Sequence, residues 1–219
     1  RSMETKVTAV NGHGHLTIGG LDTVALASKY GTPLYVMDED AIRANCRALK
    51  NSMDAHYHKK GLVLYASKAF CCKRMYRILN EEGLGADVVS GGELYTALQA
   101  ARNPYVAVVA CDMVFASGAL VVAEALCMNQ TGADVVVPVN KHGFEPFHAM
   151  YRRMECLPAV RRALDRGEKR AQSFFGDDSV VVHEFPQSKV LEAEPMGGCF
   201  INANTPDELH ALEDMVMEG

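Results

Sequence analysis

The sequence contains no apolar run that approaches the roughly 20 residues a membrane-spanning helix needs, which excludes a helical membrane span. It has no excess of positive charge. Lys and Arg number 22 against 27 Asp and Glu, a net charge of −5, so no general attraction to nucleic acid or to an anionic membrane surface is expected. No CxxC or other paired metal spacing occurs among the seven cysteines, so a disulfide framework or a zinc site is not expected. Phosphate loops of the GxxxxGK[ST] or GxGxxG kind are missing as well. No apolar stretch follows Arg1-Ser2-Met3, and a secretory signal is not expected. Together these absences predict a cytoplasmic chain with reduced, mostly buried thiols.

What is present is a hydrophobic fraction of 48%, ordinary for a globular chain, in a regular order of elements. Val7 to Ile18, with Asn11-Gly12 in the middle, predicts a hairpin. A short helix should run from Leu21 to Tyr30 and stop at Gly31. Leu34–Met37 reads as a buried strand, and Ile42, Cys46, Leu49 and Met53 then form one helical stripe. Further strands are expected at 62–66, 86–89, 105–110, 133–137, 179–185 and 200–202. Helices should lie between them: 72–82, a capped helix from Ser90 with Glu93 at capping-box spacing, 120–128, and a basic helix opened by Pro158. The last helix follows the cap Thr205-Pro206-Asp207-Glu208. This order predicts an α/β fold, a mainly parallel sheet flanked by helices, with chemistry at the C-terminal ends of the strands.

Lys68 lies just past the strand at 62–66, among small and apolar residues. It reads either as a desolvated amine able to form a Schiff base or as a solvated lysine, and position alone favours the second. Asp112 ends the strand at 105–110, where a carboxylate can hold a divalent cation on a nucleotide phosphate or simply serve a loop hydrogen bond. His142, Glu145 and His148 occur at i, i+3 and i+6, but Pro146 argues against one helix presenting both imidazoles to a metal. Cys71-Cys72 reads as a buried helix start. Arg152-Arg153, Arg161-Arg162 and Lys169-Arg170 read as a solvated basic face, with anionic substrate as the alternative.

Two longer stretches carry family resemblances. Tyr30-Gly31-Thr32-Pro33-Leu34-Tyr35-Val36, Tyr65-Ala66-Ser67-Lys68-Ala69-Phe70 and the run from Glu82 to Leu94 resemble diaminopimelate decarboxylase, a pyridoxal-phosphate enzyme of lysine biosynthesis. The resemblance implies about three of the eight units of a (β/α)₈ barrel, with Lys68 as the catalytic lysine that holds the cofactor covalently. The runs Val106–Met113, Gly143–Ala149 and Phe200–Leu209 resemble the C-terminal part of molybdenum cofactor guanylyltransferase. That resemblance implies magnesium at Asp112 and a cleft lined by Asn202 and Asn204, without the opening Gly-rich loop that grips the GTP phosphates. The chain is thus expected to be a hybrid, residues 1–101 from one family and 102–219 from the other, joined between 91 and 103. Each catalytic set is incomplete, so both activities are expected to be impaired, with residual pyridoxal phosphate binding at Lys68. The alternatives are a magnesium-dependent nucleotidyltransferase and a non-catalytic scaffold. A small-molecule ligand is expected, together with self-association through exposed sheet edges.

Overall fold

A computed structural model describes residues 7–56, 61–110, 112–113, 115–203 and 205–217 of the 219. The chain divides into two compact units, Arg1–Val63 with Ile78–Gly85, and Leu64–Arg77 with Ala86–Gly219.

In the first unit β1 (Thr8–Val10) and β2 (Leu16–Ile18) form the antiparallel hairpin, and β3 (Leu21–Asp22) adds to its edge. Asn11 shapes the turn: its side-chain oxygen accepts the backbone N–H groups of His13 and His15 at 2.9 and 3.0 Å. Asp22 caps α1 (Thr23–Tyr30) by accepting the Val24 and Ala25 N–H groups, and Gly31 ends it. Helix α2 (Glu39–His56) buries Cys46 of its predicted stripe. On the same helix Arg43 binds Glu39, Glu81 and Glu82 at 2.6–2.9 Å. The strand expected at Leu34–Met37 does not form; Tyr35 is 90% exposed. An apolar run becomes a strand only where a neighbour takes up its backbone hydrogen bonds, and no described strand does so here.

The second unit opens with β4 (Leu64–Ala66) and a 3₁₀ turn over Ser67–Ala69. The boundary between the units falls inside α3 (Lys73–Glu81), after which β5 (Gly85–Asp87) pairs with β4 in a two-stranded sheet. Then come α4 (Gly91–Ala100), β6 (Tyr105–Val109), α5 (Gly118–Thr131), β7 (Val135–Asn140), β8 (Gly143–Phe144), β9 (His148–Arg152) and α6 (Arg153–Asp165). β10 (Val182–Pro186), α7 (Gln187–Ala193) and α8 (Pro206–Met217) complete it.

The main sheet has the order β10-β7-β9-β6, with β8 hanging on β7. β10 and β7 are parallel, as the strand–helix–strand order predicts. β9 enters antiparallel between β7 and β6 and makes the sheet mixed. On one face Leu120 and Met128 of α5 and Val190 of α7 pack against Val136, Met150 and Phe185. Side chains alternate along a strand, so Tyr151 points the other way, where its ring meets Phe174 at 6.2 Å. Val135, Val136 and Val137 are all buried, as a strand covered on both faces requires.

Two expectations shift. Helix α6 starts at Arg153 rather than at Pro158, because the Arg153 backbone N–H donates to the Pro104 carbonyl and its side chain to the Leu98 carbonyl, both at 2.7 Å. The strand expected at 200–202 is reduced to one antiparallel bridge between Asn202 and Met113.

Candidate functional site

Asp112 lies past the C-terminal end of β6, half-buried, in the turn that leads to α5. The Ala203 N–H donates to the Asp112 backbone carbonyl at 3.0 Å, beside the bridge from Met113 to Asn202. Two segments about 90 residues apart in sequence are thereby sewn together, and they carry two of the predicted site residues. Asn202 is exposed next to that seam. Asn204 lies outside the described residues.

Asp112 brings a single carboxylate. No group of three or more His, Cys, Asp or Glu among the described residues forms a metal cluster. Magnesium is usually held by one or two carboxylates together with substrate phosphates, so one carboxylate in the turn past a strand end suits a magnesium that arrives on its nucleotide rather than a resident ion.

Lys68 sits in the 3₁₀ turn after β4, exposed to water. A cofactor such as pyridoxal phosphate has to be held by its phosphate and ring as well as its aldehyde. The glycine-rich helix start after β5 does not offer a phosphate cradle, since the Gly91 N–H is given to the Lys169 carbonyl at 2.8 Å. The described residues around Lys68 therefore do not fit pyridoxal phosphate as a firmly held group.

The remaining candidates separate. His142 is exposed on the turn between β7 and β8, Glu145 accepts from the Asn140 amide at 2.6 Å, and His148 is buried against α5, so the three do not converge. Cys72 sulfur accepts the Met75 N–H at the start of α3, and Cys71 sulfur lies 3.5 Å from the Tyr76 hydroxyl. The arginine pairs are tied down: Arg152 to Asp134 and over the Tyr105 ring, Arg161 to Asp165, Arg162 to Asp177. Free cationic charge for an anionic substrate is correspondingly reduced. An open groove between α5 and α7, lined by Leu126, Cys127, Phe185 and Lys189, holds none of the predicted residues.

One polar constellation was not anticipated. Glu124 of α5 and His148 of β9 are both fully buried, with Glu124 Oε1 3.1 Å from His148 Nδ1. Burial pushes the Glu124 carboxyl up from the ordinary value, partly countered by the hydrogen bond from His148. Its second oxygen has no hydrogen-bond partner among the described residues. The signal in the sequence was a lone carboxylate inside Gly-Ala-Leu-Val-Val-Ala-Glu-Ala-Leu, a helix apolar on every face. Such a residue needs a buried partner.

In an open α/β sheet, ligands bind beyond the carboxyl ends of the strands, which is where Asp112 lies. Residues 65–182, more than half of the chain, match the model of the MobA-like NTP transferase domain, and the chain belongs to that family. Molybdopterin-guanine dinucleotide biosynthesis protein A from Archaeoglobus fulgidus superposes with a TM-score of 0.56 over 78% of this chain and 86% of that one. At 18% identity the likeness is one of fold. A second kinship is close but short. Diaminopimelate decarboxylase of Bacillus methanolicus is 58% identical over 93 residues, 42% of this chain and 21% of that enzyme. The Bacillus subtilis enzyme is 53% identical over 90 residues, 41% and 20%. This chain spans about a fifth of the length of those decarboxylases.

Proposed function

We propose that the chain is a hybrid, a diaminopimelate decarboxylase fragment (residues 1–101) followed by a MobA-like module (102–219). In this reading the module binds a magnesium-complexed guanine nucleotide at Asp112 and Asn202, with transfer chemistry impaired. The observation that carries the reading is the hydrogen bond from Ala203 to the Asp112 carbonyl, which holds the carboxylate-bearing turn against the asparagine-bearing segment. Asp112 supplies one hard oxygen ligand, and the phosphates of the nucleotide would supply others. The Gly-rich loop that would cradle those phosphates has no counterpart in the sequence, and this supports weak binding with slow or absent transfer.

Calorimetry tests it. Magnesium alone should give no binding heat. Magnesium with GTP should bind the wild-type chain, and Asp112→Ala should lose that binding. Equal binding by both proteins would end the proposal.

Lys68 supports a second reading, residual pyridoxal phosphate binding. The motif around Lys68 and its accessible amine favour it, but the solvated side chain supports a reversible Schiff base rather than a held cofactor. Borohydride reduction followed by peptide mapping should place an adduct on Lys68 that Lys68→Ala lacks. Labelling of other lysines with Lys68 unmodified would remove this reading.

A further inference from the structure

His148 has no exposed surface, yet both of its ring nitrogens are engaged. The Ser117 backbone N–H donates to Nε2 at 3.4 Å, so Nε2 carries no proton. The ring proton therefore sits on Nδ1 and is donated to Glu124 Oε1. Ser117 is the N-cap of α5. The residue before it, Ala116, donates its N–H to the Met113 carbonyl at 3.1 Å, and Met113 follows Asp112. On its other side the His148 ring packs edge-to-face with Phe200, centroids 5.6 Å apart and planes at 88°. Phe200 lies two residues before Asn202. One imidazole thus touches both segments that the Asp112–Ala203 hydrogen bond joins.

We infer that His148 is the positioning residue of the Asp112–Asn202 site, a neutral imidazole fixed by Glu124 that anchors Ser117 and Phe200 and so sets the spacing of the two site-bearing segments. The inference rests on the reading of that seam as the nucleotide site. A buried polar pair with both partners satisfied on the ring specifies one arrangement of the elements around it. The orphaned second oxygen of Glu124 is the cost of placing that carboxylate in the core.

The test is nuclear magnetic resonance on the full, ¹⁵N-labelled chain. Imidazole nitrogen shifts should show His148 as the Nδ1–H tautomer at neutral pH. Amide exchange at Ala203 reports the seam directly. His148→Gln places a side-chain oxygen where Nε2 was and should keep Ala203 exchange within about twofold. His148→Asn keeps the hydrogen bond to Glu124 but cannot reach Ser117, and should speed exchange at Ser117 and Ala203 by about tenfold or more. The Asp134 amide, bonded to the Val181 carbonyl at 2.8 Å, should not change and serves as the control for folding. An Nε2–H tautomer, an imidazolium, or equal Ala203 exchange in all three proteins would overturn the inference. If His148→Asn loses Asp134 protection as well, the wild-type tautomer alone decides. Neither readout uses magnesium or nucleotide. Calorimetry that finds Asp112 inert would thus remove the nucleotide reading and leave the hold of His148 on both segments standing.

Discussion

Gly91 donates its backbone N–H to the Lys169 carbonyl at 2.8 Å, and a Cβ at Gly91 would lie 3.1 Å from that oxygen and 3.3 Å from the carbonyl oxygen of Arg170. The glycine is there so that two backbones can approach, and the start of α4 is packed rather than open to an anion. Gly91→Ala should therefore destabilise the second unit by about 1–3 kcal/mol, as overpacking against rigid backbone does. Gly92→Ala, with nothing within 4 Å of the added methyl, should leave stability nearly unchanged. Urea melts of the two variants check the contrast.

Replacing His148 with Leu takes away the only hydrogen-bond partner that the Glu124 carboxyl has among the described residues. Leaving a buried hydrogen-bonding group without its partner is expected to cost about 1–3 kcal/mol. The double replacement Glu124→Leu with His148→Leu removes the unpaired carboxyl and leaves only the Ser117 N–H without its acceptor, so it should recover part of that loss. A double-mutant cycle by chemical denaturation gives the coupling; strictly additive losses would contradict it.

Helix α5 is apolar on nearly every face, and the structure divides that face in two. Leu120 is fully buried in the core with Met128 and Val136, whereas Val122 is 59% exposed. Leu120→Ala should cost about 2–5 kcal/mol, while Val122→Lys should stay within about 0.5 kcal/mol of wild type. Equal effects in denaturant melts would mean that the helix is rotated from the orientation described here.

Local chemistry was the legible part of this sequence. Thr205 and Glu208 form both bonds of a capping box at 3.2 Å, and Ser90 caps the Glu93 N–H as its spacing predicts. The return bond differs: Glu93 accepts from Val89 rather than from Ser90. β9 was not legible, because His-Ala-Met-Tyr-Arg is covered on both faces and shows no alternation of period two. Leu34–Met37 misled for the opposite reason, since its apolar run says nothing about whether a neighbouring strand is present. At the candidate site, Asp112 and Asn202 are candidates through motif resemblance, and their juxtaposition depends on a long-range backbone bond that no local pattern encodes. Glu124 left a trace in the sequence, whereas His148 was weighed only as a metal ligand, and disfavoured as one, so its role as a core hydrogen-bonding group was not legible.

The first unit has its own electrostatic centre, and it fixes a pH response. Arg47 and Arg43 both bind Glu82, and their hydrogen bonds hold its carboxyl at about 2, down from 4.5. Because the folded value is the lower one, the unfolded chain takes up the proton first as acid is added. The stabilisation from Glu82 is therefore complete above about pH 4.5 and is lost as pH falls toward about 2. Glu82→Gln removes the titrating group while keeping the size of the side chain. Thermal melts should show wild type above Glu82→Gln at pH 6–7, with the two converging as pH drops toward about 2. A gap that stays constant across that range would mean that the arginines act on Glu82 through packing and not through its charge.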